Sequence, residues 1–393
     1  MPSYLPHELV VSEILVRLPV KTLLRFRCAC KAWRDTISDD TSFSQAHVRR
    51  HQQQKGRPSS LLIAPYIKIV DPDGENLDST DTPGLYHWEE NQRQDGVTTL
   101  VHDMAWLPVE DFWQTRHGFA HCDGLVMLPD AEGTVRVLNP ATRRSLTLPW
   151  SPNSTGSWRP LFEGENTFGF GRDPSSGSYK IARFFHHDPQ TDSFGEEVFT
   201  VGEDSCWRET AAKPPYPFIE GRTATFLKGS LIWTVHLKSR IYHVAGVPGF
   251  VRFSLEDESF RVMAAPRWYH GHNYEESRLA ELHGELALAR LNEELVEIWM
   301  CDDVDDGSPP RWARRHVLKF PSRIHPIAVF DDGVVFRDKS CYLSRLTSEG
   351  PKHMVGMKTL KYCNPDTDTL VESSSVIFDD FDVIPYIPTL VPI

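Results

Sequence analysis

A chain of 393 residues, 40% apolar and 24% charged, suits folded domains, more than one of them, and excludes an unfolded polar tract. Its net charge of −12 is uneven: residues 1–50 carry eight Lys/Arg against five Asp/Glu, a balance of +3, which leaves −15 for the remainder. Such an acidic body argues against nucleic acid as the main partner, because phosphate binding needs clustered Lys and Arg, and it reads first as a surface kept acidic for solubility.

Plentiful turn formers, 29 Pro and 24 Gly, together with 11% aromatic residues favour an all-β body. The seven Cys form no CxxC pair, and their odd, dilute distribution predicts reduced thiols in the cytoplasm or nucleus. No run of about 18 apolar residues suggests a membrane span, and the first residues lack a basic-then-apolar export pattern, so no membrane association is expected. Asn153-Ser154-Thr155 is a chance glycosylation sequon in that setting.

In chain order, Pro6 suits the first turn of a helix, where its missing N–H costs nothing. Val10, Ile14 and Leu18 form an apolar stripe, widened by Val11 and Leu15, until Pro19 stops the helix. A second short helix through Thr22–Arg27 presents Leu23, Leu24 and Phe26. A third carries Cys30, Trp33 and Ile37 on one face, and Asp39, Asp40 and Ser42 read as the closing turn. Arg17, Lys21, Arg25, Arg27, Lys31 and Arg34 lie on the opposite side. Three helices this small cannot hide so many apolar side chains, which calls for a partner surface.

The residues that carry this pattern are Leu5-Pro6-His7-Glu8-Leu9, Ile14 through Lys21, and Leu24 through Arg34. The stretch resembles an F-box, the module by which substrate receptors dock on the Skp adaptor of cullin-based ubiquitin ligases. One departure is Ala29, where plant versions more often have Val; it trims apolar volume and keeps the character. The resemblance implies that Leu5, Pro6, Leu9, Ile14, Leu15, Leu18, Pro19, Leu23, Phe26, Cys30 and Trp33 form the adaptor face or its immediate packing.

Residues 49–59 read as a polar linker. Beyond them, short alternating strands are separated by turn clusters. A turn, a Gly and a short apolar strand recur at Gly124, Gly177, Gly229, Gly284 and Gly333, at separations of 53, 52, 55 and 49, with a weaker member at Gly74. A period near fifty with several strands per unit points to a propeller of four-stranded blades more strongly than to a generic sandwich.

The same body resembles the F-box-associated domain of plants, a degenerate kelch-like propeller. The residues that carry this are Cys122-Asp123-Gly124-Leu125, Leu138 through Arg143, Phe168 through Pro174 with Tyr179-Lys180, Ser205 through Arg208, Gly229 through Trp233 and Glu297-Ile298-Trp299; residues 60–115 match least. The expected chain is thus an α+β multidomain protein: a three-helix F-box over 1–48, the linker, and over 60–388 an all-β propeller of about six degenerate kelch-like blades.

Catalytic patterns are sparse. His186-His187-Asp188 and His270-Gly271-His272 lack metal-ligand spacing, and the acidic turn at Asp302–Gly307 places Val304 and Ala313 where a calcium loop needs ligands. Gly169-Phe170-Gly171 lacks the third Gly of a dinucleotide loop, and no G-x-S-x-G elbow occurs. No catalytic residue, metal or cofactor is expected. The resemblance implies a non-enzymatic receptor that joins a Skp-type adaptor, through it a cullin, and a protein substrate of unknown identity. Trp158-Arg159 and Trp268-Tyr269, in loop-like surroundings, are candidate substrate contacts, because Trp, Tyr and Arg dominate interface hot spots; filling blade cores is the commoner role of Trp. Two alternatives stay open: a propeller enzyme or small-ligand binder capped by helices, and an adaptor-bound protein without a degradation role.

Overall fold

The computed structural model describes residues 6–53, 60–68, 84–89, 98–103, 120–129, 134–153, 167–188, 193–219, 222–235, 249–269, 277–292, 295–301, 310–319, 324–330, 333–338, 342–347, 350–356, 361–364, 369–372 and 377–393. The first apolar stripe is not one regular helix. It comprises a short α-helix, α1 (His7–Leu9), a π turn (Val10–Ile14) and a 3-10 turn (Leu15–Arg17). Leu18 is extended at φ −83°, ψ 146°, as the residue before a proline tends to be.

Helix α2 (Val20–Phe26) follows Pro19, and α3 (Lys31–Asp39) starts at Cys30, whose Sγ accepts the Trp33 N–H at 3.5 Å. A further helix, α4 (Thr41–Gln53), was not expected from the sequence. The Asp40 carboxylate that read as part of a closing turn instead accepts N–H bonds from Ser42 (2.9 Å) and Phe43 (3.1 Å), the geometry of a helix start. Burial of Phe43, Ser44, His47 and Val48 gives α4 its inward stripe.

Strands β1 (Ser60–Lys68), β2 (Gly84–Glu89) and β3 (Thr98–Asp103) begin one sheet. A four-stranded blade follows from β4 (Ala120–Cys122), β5 (Leu125–Pro129), β6 (Val135–Asn139) and β7 (Arg144–Thr147). The next comprises β8 (Thr167–Arg172), β9 (Tyr179–Asp188), β10 (Ser193–Thr200) and β11 (Arg208–Glu209). Then come β12 (Thr225–Leu227), β13 (Ser230–Thr234), β14 (Phe250–Ser254) and β15 (Phe260–Met263). A fourth blade holds β16 (Ser277–Leu282), β17 (Glu285–Asn292), β18 (Leu295–Cys301) and β19 (Trp312–Lys319), and a fifth β20 (Ile324–Phe330), β21 (Gly333–Asp338), β22 (Tyr342–Thr347) and β23 (Gly350–Gly356). Finally β24 (Lys361–Asn364), β25 (Thr369–Glu372) and β26 (Ile377–Pro385) return to the first sheet, ordered β25-β24-β3-β2-β1-β26.

Among the described residues, five four-stranded blades are therefore joined by a six-stranded sheet made from both ends of the body. Strand β26 lies antiparallel to β1, from Leu61 opposite Pro385 to Lys68 opposite Ile377, so the last strand closes the ring on the first. Strands β1–β3 of this composite sheet lie within residues 60–115, the stretch that matches the F-box-associated pattern least. Neighbouring strands within each four-stranded blade are antiparallel, so their hairpin turns alternate between two faces. The recurrent glycines mark one set of turns. Gly124, Gly177, Gly229 and Gly284 lie between the first and second strands of their blades at φ of 80°, 77°, 75° and 79°, and Gly333 opens a second strand. Left-handed backbone is cheap only for Gly, which is why a diverged repeat keeps it.

The Phe-Gly-Phe-Gly run of β8 shows how blades pack. Phe168 and Phe170 are fully buried against Cys122, Leu125, Met127 and Val137 of the preceding blade. The glycines face the following blade, where a Cβ on Gly171 would lie 2.2 Å from Phe226 Cδ2 and 2.8 Å from Leu255 Cδ1. Gly171→Ala should therefore cost about 1–3 kcal/mol through overpacking, read as a lowered urea midpoint at unchanged slope. Beyond the turn, the Tyr179 hydroxyl donates to Asp123 at 3.0 Å, and Lys180 Nζ donates to Leu255 O at 2.7 Å and pairs with Asp173 at 3.0 Å. One Tyr-Lys dipeptide thus stitches three blades. Burial works to raise the Asp173 pKa, but hydrogen bonds from Lys180, Ser175 and Ser176 hold it well below the usual carboxylate range.

Candidate functional site

The helical unit has its own core: Leu15, Val16, Val20, Leu23, Ile37 and Phe43 are buried together. Leu15 and Leu23 are fully enclosed, so of the expected adaptor-face residues these two support the face from beneath. Leu9 and Ile14 are 48% and 44% exposed, large apolar side chains facing solvent. Pro6, Pro19 and Cys30 are exposed as well, while Leu18, Phe26 and Trp33 are half-buried. Phe26 and Trp33 pack at 5.3 Å between ring centroids, joining α2 to α3. Leu5 lies outside the described residues. The sequence reading missed Val16, Val20 and Phe43 as core residues; the inward stripe of α4 was the available signal for Phe43.

Several contacts brace this unit and seat it on the propeller. His47 Nε2 lies 2.9 Å from Leu18 O, tying α4 to the first turns, while Val48 packs into the Phe168 and Phe170 cluster. Ala141, in the turn between β6 and β7, packs against the helical core. Burial, with the Lys21 charge adding to it, pushes the His87 pKa down to about 4. The helices therefore sit on the face that carries the Asp123-Gly124 and 140–143 turns. Connections between successive four-stranded blades emerge on the other face.

Trp268 and Tyr269 belong to one such connection, between β15 and β16, and both are half-buried. Arg290 lies 4.0 Å above the Trp268 ring, Trp299 packs beside it at 5.6 Å, and Tyr269 packs on Phe250 at 5.3 Å. Glu297 accepts bonds from Arg290 (2.9 Å), Trp299 (3.2 Å) and Arg314 (2.8 Å), which fixes the floor of this patch. Both aromatics thus have a packing role, and each presents only part of its surface. Trp158 and Arg159 lie outside the described residues. Other motif tryptophans fill blades: Trp207 Nε1 donates to Pro149 O at 2.8 Å, and Trp233 stacks on Phe218 at 4.8 Å.

The strongest buried electrostatics are structural. On β9 and β10, Arg183 pairs with Glu197 at 2.9 Å with both side chains 1% exposed. Ser151 and Asn153 donate to the same carboxylate at 2.8 and 3.0 Å, anchoring the chain that leaves β7. The adjacent Glu196 projects to the opposite side of the sheet, fully buried, with neither carboxyl oxygen hydrogen-bonded to any described residue. Burial, and after it the Glu197 charge, push its pKa well up and so favour the neutral acid. An acid whose pKa rises on folding is stabilising below its unfolded value of about 4.3 and loses that contribution as pH climbs toward the folded value. Glu196→Gln should therefore raise the melting temperature at pH 8 and lose this advantage near pH 4.5, as a paired pH series of melts would record.

Comparison with known proteins matches these features. A family model described as an F-box associated beta propeller domain covers residues 86–335, and an F-box domain model covers residues 3–45. One Arabidopsis thaliana F-box protein is 25% identical over 271 residues, spanning 69% of this chain and 63% of its own length. A second is 27% identical over 319 residues (78% of this chain, 67% of the relative), and an F-box/kelch-repeat protein of the same plant is 27% identical over 332 residues (82% and 68%). The chain thus spans about two thirds of the length of these relatives. With an F-box seated on a propeller and both family models matched in the expected order, the chain belongs to the F-box proteins that carry an F-box-associated β-propeller.

Proposed function

We propose that this protein is the substrate-recognition subunit of a Skp-cullin-F-box ubiquitin ligase in the cytoplasm or nucleus, docking on the Skp adaptor through its F-box and holding a protein target on its propeller. The observation that carries the reading is the solvent-facing pair Leu9 and Ile14, backed by the packed Leu15 and Leu23, on a family-matched F-box. F-box proteins with propellers act in general as non-catalytic receptors. In such an assembly the receptor contributes proximity, raising the effective concentration of a substrate lysine near the ubiquitin thioester. The face opposite the F-box, with the Trp268 and Tyr269 connection, is the side free of the helices and is assigned to the target.

The test is partner capture with the proteasome blocked, comparing the wild type with a Leu9→Ala/Ile14→Ala variant. Target proteins should be recovered with both forms and carry ubiquitin only with the wild type. Recovery of adaptor and cullin with neither form would overturn the reading and favour a helix-capped propeller binder. Recovery of adaptor and partners that never acquire ubiquitin would favour an adaptor-bound role without degradation.

A further inference from the structure

We infer that residues 386–393 form a clasp that fixes the orientation of the F-box on the propeller, with Asn139 and Leu390 as positioning residues for ubiquitin transfer; the transfer role rests on the receptor reading above. The segment follows β26 without regular secondary structure, yet its side chains enter three separate cores. Tyr386 packs with Leu62, Val126 and Leu128 where the composite sheet meets the next blade. Leu390 joins Leu15, Val16, Val20, Leu23, Ile37 and Phe43 inside the F-box. Val391 enters the cluster of Phe168 and Phe170. Between these anchors the segment spans the seam between the two domains, and the sequence-based boundary at 388 falls within it.

Asn139, at the end of β6 and fully buried, holds the segment in place. Its Nδ2 donates to Thr389 O at 3.2 Å and to Val391 O at 2.8 Å. Its Oδ1 accepts from the N–H groups of Ala141 and Thr142 at 3.1 and 3.2 Å, so the turn that touches the F-box is set by the same side chain. Both amide donors and both carbonyl lone pairs are thereby used. Gly124 makes room: a Cβ there would sit 2.2 Å from Ile387 O, and its φ is +80°. The Asn-Pro-Ala-Thr-Arg and Cys-Asp-Gly motifs therefore serve the clasp as well as their own blade. A substrate lysine reaches the thioester only if the F-box and the propeller hold one mutual orientation, since small misplacements reduce proximity catalysis steeply.

The test places one spin label on the F-box (Lys31→Cys) and one on the propeller (Lys213→Cys), with other reactive cysteines replaced. Inter-label distances are measured by pulsed EPR for the full chain, for Leu390→Ala and for Asn139→Ala. A single narrow distribution is expected without further change and one at least twofold broader in each variant, with adaptor affinity kept within twofold for Asn139→Ala. Among the described residues the side-chain hydrogen bonds of Asn139 go to the segment and to its own turn, so its variant carries the test if Leu390→Ala loosens the F-box itself. Unchanged width in Asn139→Ala would overturn the clasp. Broadening accompanied by loss of adaptor binding in Asn139→Ala would also overturn it, since the segment would then be serving F-box folding. Failure of the unmodified chain to bind adaptor would instead overturn the receptor reading, leaving the distance comparison to judge the clasp alone.

Discussion

Arg183→Met should lower the unfolding free energy by about 3–5 kcal/mol, the range for breaking a fully buried ion pair from one side. The guanidinium pairs with Glu197 at 2.9 Å and donates to Asn153 O at 3.1 Å, with the side chain 1% exposed. Without it the Glu197 carboxylate keeps only the neutral donors Ser151 and Asn153 inside the seam between two blades. The cost arises from this uncompensated charge, more than from the attraction lost. The double variant Arg183→Met/Glu197→Met should accordingly recover most of the loss, because it removes both charges and keeps apolar volume. Urea unfolding followed by tryptophan fluorescence would read both, and a single-variant loss under about 1 kcal/mol would show that water reaches the pair.

Leu9→Ala/Ile14→Ala should weaken adaptor binding by about 2–4 kcal/mol, roughly 30-fold to several hundred-fold in Kd, while leaving the melting temperature nearly unchanged. The asymmetry follows from burial. Both side chains are close to half exposed, so folding gains little from them, whereas an adaptor that covers them removes their whole apolar surface from water. Leu15→Ala or Leu23→Ala should behave oppositely, lowering stability first, because both are fully buried in the F-box core. Calorimetric titration of purified adaptor against each variant, beside its melting curve, separates the two classes. Equal losses of stability in all three variants would contradict the division into face and support.

Much of the architecture was legible in residue patterns because it rests on local rules. Pro19 ends the first helical stretch through its own ring, and Leu18 is extended because a proline follows. The fifty-residue spacing of glycines was legible because Gly124, Gly177, Gly229 and Gly284 sit where the backbone turns left-handed. The start of α4 was misjudged for a related reason: an Asp followed by Ser and Thr neighbours caps a helix or closes a turn with the same hydrogen bonds, and the buried stripe beyond it decides between them. Trp268 and Tyr269 were legible as an aromatic patch in a connection, but their half-buried packing on Arg290, Trp299 and Phe250 was not, since those partners come from other strands.

From its residues alone this chain determined an F-box, a repeating β body and an apolar face on the helical unit, since each depends on neighbours within a few turns or one hairpin. Only the tertiary structure decided that β26 completes the sheet begun by β1, that Arg183 and Glu197 are sealed between blades, and that Leu390 enters a core made by residues 15–43. The first and last of these join positions hundreds of residues apart, and the ion pair, though its partners lie on adjacent strands, is sealed only by the chain that leaves the neighbouring blade. Their free energy comes from burial and hydrogen bonds that exist only once the ring has closed, so no local pattern marks them.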